Sequence, residues 1–259
     1  RCAIVTGVQT CALPISSPLL MRAGINSADL VDQCARCHMR REQVSNVYEP
    51  GDPMHDHYIP ALIHPPNYYA DGKIRDEVYV YGSFKQSKMF HTGVGCTDCH
   101  DPHSNKLIIA GNDLCNSCHQ ASDYDTPEHH FHQANTEASQ CVNCHMTGRT
   151  YMGNDFRRDH SFKVPNPALS IDSSVPNACN GCHTDESATW AAEAVENWYG
   201  EDAPKGRLTA YGRQNSEIDS AARHPEYQNH GQFEAVFVKA AAGDGTVAKE
   251  LKKIAQSSY

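Results

Sequence analysis

No run of about 20 consecutive apolar residues occurs in this sequence, the length a membrane helix needs, so no segment of the visible chain reads as a membrane span. Aromatics make up 8% of the chain, only two residues are tryptophan, and 39% of the 259 residues are apolar. The length would suit one large or two modest domains, but side chains alone would give them thin cores. Positive charge is also short. The 22 Lys and Arg against 31 Asp and Glu leave a formal charge of -9, which sets aside non-specific nucleic-acid binding and favours partners with positive patches. Nor is there cysteine to spare for disulfides: of twelve, ten belong to one repeated pattern and only Cys2 and Cys11 remain.

That pattern is Cys-x-x-Cys-His, the attachment signature of c-type haem. It occurs at Cys34/Cys37/His38, Cys96/Cys99/His100, Cys115/Cys118/His119, Cys141/Cys144/His145 and Cys179/Cys182/His183. Two cysteines three positions apart can place both sulfurs along one porphyrin edge, where they add to the vinyl groups as thioethers. The adjacent His then reaches the iron. Cysteine pairs also build tetrahedral zinc sites, but zinc ribbons do not require a His after every second Cys. The expected cofactor is therefore haem c, five in this chain. Porphyrin faces would supply the missing apolar core, and the thioethers would restrict the unfolded chain much as disulfides do. Covalent attachment is carried out on reduced thiols outside the cytoplasm, so the expected location is periplasmic or extracellular.

Residues 5–15 resemble the translation of a sequencing adapter. We therefore expect residues 1–16 to be an artefact, with genuine sequence beginning near Ser16 or Ser17 and a signal peptide, anchor or further motifs lost upstream. A multihaem cytochrome c domain is expected over 17–186 and a helical segment over 187–259. The first motif is followed by 57 residues without another, and the last four come at intervals of 14, 21 and 33 residues. Turn signals such as Asp101-Pro102, Gly111-Asn112 and Pro165-Asn166-Pro167 predict a mainly α fold with short helices and much irregular loop, organised around the haems. Asp76–Tyr81 has the composition of a short strand. Trp190, Ala194, Val195 and Trp198 recur at helical spacing, with Thr184 or Ser187 as N-cap, Gly200 as stop, and both Trp expected in the core. Helical patterns over 233–242 and 247–256 flank Gly243-Asp244-Gly245 and predict an αα-hairpin.

Each motif His fills one axial position, and a second side chain decides whether the iron is closed. Of sixteen histidines, eleven lie outside the motifs. His103 is the first candidate, because His100-Asp101-Pro102-His103 turns a second imidazole toward a neighbouring haem. The cluster His129, His130 and His132 offers alternate spacing, so that at least one or two of its members can face different haems. His160 follows Arg157 and Arg158, whose guanidinium groups suit haem propionates. His57 and His91 come next, while His55, His64, His224 and His230 read as surface. Met39, Met54, Met89, Met146 and Met152 read as core filling rather than as ligands.

Several phrases carry a resemblance: Glu77-Val78-Tyr79-Val80-Tyr81-Gly82-Ser83-Phe84, Gly95-Cys96-Thr97-Asp98-Cys99-His100-Asp101-Pro102-His103-Ser104, Arg157-Arg158-Asp159-His160-Ser161-Phe162 and Pro176-Asn177-Ala178-Cys179. Over roughly residues 30–200 the chain resembles multihaem cytochromes with doubled Cys-x-x-Cys-His motifs, which often continue into C-terminal tetratricopeptide repeats. More distantly it resembles the haem scaffold of nitrite reductases and hydroxylamine oxidoreductases. The resemblance implies ligand roles for His57, His103, the 129–132 cluster and His160, and further motifs upstream.

The expected function is electron transfer through bis-His haems, in a chain fed by redox partner proteins such as a membrane quinol-oxidising complex. The alternative is an oxidoreductase acting on a small nitrogen or sulfur compound at one open haem. Those reductases often mark the catalytic haem with Cys-x-x-Cys-Lys, which does not occur here. A protein partner bound through the helical tail is compatible with either. The motif count is directly measurable: the matured chain should carry five haems that resist acid extraction, and replacing both cysteines of one motif by Ala should lower the intact mass by one haem.

Overall fold

Asn26 opens the first helix by accepting the Asp29 N–H on its side-chain oxygen at 2.9 Å, satisfying one of the donors a helix start leaves free. The computed structural model describes residues 26–49, 51–173 and 175–204. Helix α1 (Ser27–His38) buries Val31 and Ala35 on one face and ends in the first motif. Strand β1 (Arg41–Gln43) pairs antiparallel with β2 (Tyr58–Pro60), the two joined through a 3₁₀ turn at Met54–Asp56. Two short helices follow, α2 (Tyr81–Lys85) and α3 (Lys88–His91), the second capped by the Ser87 hydroxyl on Phe90 N–H at 3.1 Å.

The second motif leads into the hairpin β3 (His100–Asp101) and β4 (Lys106–Leu107). Helices α4 (Asn112–Asn116), α5 (Ala121–Tyr124), α6 (Pro127–His130) and α7 (Cys141–His145) carry the third and fourth motifs and the histidine cluster between them. Hairpin β5 (Gly148–Tyr151) and β6 (Asp155–Arg158) turns through Met152 at φ 50° and Gly153 at φ 79°, the left-handed pair that a tight hairpin turn uses. Finally α8 (Ala168–Ser173) packs on α9 (Ala188–Tyr199). The expected mainly α, loop-rich class is what the described residues show, with two helices of 12 residues and the rest far shorter.

The side-chain core is confined to two clusters. Val31, Ala35, Met39, Met54, Tyr58, Tyr81 and Phe84 form one, and Ile63, Tyr68, Ile74, Val78 and Tyr151 the other. Met39 and Met54 thus fill core, as expected, whereas Met152 on the β5–β6 turn is 70% exposed. From residue 96 to residue 138 nothing is buried, although this stretch carries two complete motifs and the exposed apolar run Leu107, Ile108 and Ile109.

Two expectations are corrected here. Asp76–Tyr81 is not a strand: Tyr79 sits at φ 58°, which breaks the extended alternation, so the segment makes a single bridge to Met39 before α2 begins. Trp198 is not core: α9 buries Ala191 and Val195, whereas Trp198 is 37% exposed and Trp190 half-buried. Its start and stop fall as read, with Ser187 accepting the Trp190 N–H at 3.1 Å and Gly200 at φ 56°. The predicted αα-hairpin, His224, His230, Cys2 and Cys11 lie outside the described residues.

Tyr68 is almost wholly buried and its ring end lies against Gly82, where an added Cβ would overlap the hydroxyl. Gly82→Ala should therefore destabilise the haem-loaded protein by about 1–3 kcal/mol in denaturant unfolding, the usual range for overpacking, without changing the number of attached haems.

Candidate functional site

All five motifs fold as a single helical turn. The first ends α1 and the fourth is α7, while the second and fifth are 3₁₀ turns at Cys96–Asp98 and Cys179–Gly181. In the third, the N–H groups of Cys118 and His119 both reach the Cys115 carbonyl, at 3.1 and 2.9 Å. An α-helical turn stacks positions i, i+3 and i+4 on one side, so both thiols and the imidazole share a face in the first, third, fourth and fifth motifs, whereas in the second the 3₁₀ turn brings Cys96 and Cys99 together and His100 opens β3. All ten thiols are unpaired, and none is fully buried.

The two cysteines of a motif read alike in the sequence, but the structure separates them. Cys37, expected as a haem attachment residue on the same footing as Cys34, is exposed to solvent, whereas Cys34 is half-buried. The reason is its place on α1: two positions after Ala35, a helix turns Cys37 away from the buried Val31 and Ala35 stripe, and none of the described elements covers it. Cys118 and Cys182, the second cysteines of the third and fifth motifs, are exposed in the same way. The protein therefore does not enclose these three thiols. Their expected role requires only that the sulfur be reachable by a porphyrin edge from outside.

Motif neighbours follow chain order. The neighbouring Cys96 thiol lowers the pKa of Cys34, and the neighbouring Cys115 thiol lowers that of Cys141 to about 7. Burial first, then charge on Asp98 and Cys118, pushes the Cys99 thiol up; burial first, then charge on Cys179 and Cys182, does the same to Cys144. Cysteines of the first and second, second and third, third and fourth, and fourth and fifth motifs are thus neighbours.

Three motif histidines face a second histidine from elsewhere in the chain. His100 and His160 have ring centroids 6.3 Å apart with planes at 26°, His129 and His145 are 6.2 Å apart at 15°, and His132 and His183 are 6.3 Å apart at 35°. A metal bound at about 2 Å by one nitrogen of each ring, each nitrogen about 1.1 Å from its centroid, would hold two centroids about 6.2 Å apart.

The hydrogen bonds on the far ring nitrogens set which nitrogen is free. His145 Nδ1 donates to the Lys163 carbonyl at 3.1 Å, His160 Nδ1 to Arg158 at 2.9 Å, and His132 Nδ1 to the His130 carbonyl. Each leaves an Nε2 lone pair, the arrangement typical of metal-binding histidine. His130 is the reverse: its Nδ1 accepts the His132 N–H at 3.2 Å, so the proton of the neutral ring sits on Nε2, which is buried without a hydrogen-bond partner. Burial also holds His100, His129, His145 and His160 below the ordinary histidine value, in the neutral form that binds metal.

Local structure explains the aim of these rings. Phe131 closes α6 at φ 56°, and this reversal sends His129 and His132 toward different motifs. Asp159, buried behind His160, accepts the Ile74 N–H at 2.7 Å and the Ser161 N–H at 2.8 Å. The Arg158 guanidinium clamps α7 through the Val142 and Met146 carbonyls, both at 3.1 Å, and Asn143 at 2.8 Å. Arg157 pairs with Glu77 and Asp155. Both guanidiniums are thus held by protein partners. Sequence reasoning also passed over Asn112, which bonds Asp125 and the Ser139 carbonyl at 2.9 Å each and accepts the Cys141 N–H at 2.9 Å, tying the third motif to the fourth. Asn177 and Asn180 do the same around the fifth motif, Asn180 reaching the His183 and Glu186 carbonyls at 3.3 and 2.8 Å. An amide beside a motif was the available signal.

Other candidates are placed differently. His103 is exposed on the β3–β4 turn, where Asp101 accepts its N–H at 3.0 Å, and no motif imidazole adjoins it among the described residues. His57 is buried, with Nε2 3.2 Å from Asp52 and rings of Tyr48 and Tyr58 around it. His91 ends α3, its ring 5.4 Å from that of Phe90. His55 is exposed, while His64 is half-buried with Nδ1 on the Pro65 carbonyl.

These residues fit covalent haem. Paired thiols and an imidazole share each turn, opposed imidazoles stand at the separation one metal requires, and the unburied stretch with its exposed Leu107, Ile108 and Ile109 offers apolar surface for a porphyrin to cover. Among the described residues, no three His, Cys, Asp or Glu side chains converge as a tetrahedral zinc site would require.

Comparison with protein-family models finds no match, and comparison with curated proteins finds none. Among solved structures, the outer cell wall cytochrome OcwA matches with a TM-score of 0.54 at 16% identity, over 93% of this chain and 65% of that one. The likeness is one of fold. This chain spans about two-thirds of that cytochrome's length. No helix among the described residues is long and apolar enough to cross a membrane.

A segment such as 96–138 that buries nothing by itself should depend on a bound group for its order, and covalent haem would supply that. In hydrogen exchange, the haem-free chain should lose protection across 96–138 first, while α1 and α2, packed in the first core cluster, retain more.

Proposed function

We propose that this chain is a periplasmic or extracellular electron carrier, passing electrons along a row of five covalently attached haems. The observation that carries this reading is the set of three opposed histidine pairs at 6.2–6.3 Å. Bound haem supplies a one-electron iron couple, and bis-His ligation makes a closed, low-potential site suited to transfer rather than to substrate binding. The chain's part is to hold the pairs. His160 is the proposed distal ligand at the second motif, His129 at the fourth and His132 at the fifth. Nδ1 hydrogen bonds orient His132, His145 and His160, and burial favours the neutral, metal-binding form of His100, His129, His145 and His160.

The order of motif neighbours supports an unbranched path. Because each sulfur would mark a haem edge, contacts from the first motif through to the fifth would set consecutive edges side by side. The acidic chain, at a formal charge of -9, suits donor and acceptor proteins with positive patches, a quinol-oxidising membrane complex among them.

Electron paramagnetic resonance of the oxidised, matured protein tests this. Low-spin signals from at least three haems, those of the second, fourth and fifth motifs, are expected. Fewer than three low-spin haems, or a high-spin haem that turns over a small nitrogen or sulfur compound, would overturn the carrier reading in favour of an oxidoreductase. The ligand assignment is checked separately: His132→Ala should convert about one haem to a high-spin, carbon monoxide-binding form, whereas His130→Ala should leave every low-spin signal in place.

A further inference from the structure

Helix α9 follows the last motif and reads from the sequence as the start of a separate helical segment. Its aromatic residues lie instead against the histidine cluster. Trp198 stacks on Phe131 with centroids 4.5 Å apart and planes at 4°, and presents an edge to His132 at 6.3 Å. The neighbouring Tyr199 donates its hydroxyl to the His129 carbonyl at 2.6 Å and meets Phe131 edge-on at 5.6 Å. Both grip the residue whose φ of 56° sends His129 and His132 in different directions. A left-handed conformation is unfavourable for an aromatic residue and persists only when its surroundings impose it. One such restraint is local, the Phe131 N–H on the Pro127 carbonyl at 2.9 Å, and the aromatic grip comes from α9.

We infer that Trp198 and Tyr199 are positioning residues for iron ligation: by holding Phe131 and the His129 carbonyl, they keep the distal imidazoles of the fourth and fifth haems aimed at their irons. Helix α9 is then part of the haem-binding unit. This rests on the ligation proposed above.

The test uses the full, matured protein and compares Trp198→Ala, Trp198→Phe and Tyr199→Phe. Trp198→Ala should keep all covalent haem but lose low-spin intensity equal to one or two haems, with a matching gain in carbon monoxide binding after reduction. Trp198→Phe, which retains a stacking ring, should restore the wild-type spectrum. Tyr199→Phe should perturb one low-spin signal, that of the fourth haem. Wild-type spectra and carbon monoxide inertness in Trp198→Ala would overturn the inference. If that variant fails to mature, an unchanged spectrum in Tyr199→Phe overturns it instead. Failure of the underlying ligation is seen separately, as a His132→Ala protein that keeps every low-spin signal.

Discussion

Because an α-helical turn stacks positions i, i+3 and i+4 on one side, four of the five Cys-x-x-Cys-His segments present two sulfurs and an imidazole to the same space, and the surrounding chain must leave that space open. Much of the architecture follows from this. Helices stay short, since each needs to supply only one turn before the backbone moves on to the next motif. Sheets never grow beyond hairpins among the described residues, because their role is to turn the chain and present a residue at its end, as β6 does for His160.

A chain arranged around external apolar surfaces cannot rely on side-chain burial to hold its own loops. Between the third and fourth motifs, side-chain amides do that work. Asn112, Asn116 and Asp125 form a connected network at 2.9–3.1 Å, which fixes two motifs relative to each other where hydrophobic packing is absent. Polar networks of this kind are directional and tolerate little displacement. The first conventional cluster lies apart from this region, where α1, α2 and the β1–β2 hairpin meet.

What the sequence made legible was the chemistry that depends on spacing. The motifs, their shared face, the thin core and the Ser187 cap of the last helix follow from local pattern. Partnership and exposure did not. Cys34 and Cys37 are equivalent in the motif, yet the packing of α1 leaves only the second of them in the open. His103, two residues past Cys99-His100-Asp101, looked the most promising distal residue, yet the turn leaves it exposed, while His160 reaches His100 from 60 positions away. That pairing depends on the β5–β6 hairpin and on Asp159 engaging Ile74, contacts that no window of sequence contains. Within 129–132, spacing suggested that the imidazoles diverge, but only the left-handed Phe131 shows which ones do. The two Trp fit a helical stripe and so read as core, because periodicity reports a face and not what covers it.

The three histidine pairs share one further property. Each joins a residue before Gln133 to one after it: His100 with His160, His129 with His145, His132 with His183. The exposed link Gln133-Ala134-Asn135 lies between the two sets. With iron in place, the front and back halves of the chain would be sutured by three coordinate cross-links in addition to their single peptide connection. A protease that nicked the exposed link would then cut the polypeptide without parting the halves, and the metal rather than the backbone would carry the integrity of the molecule.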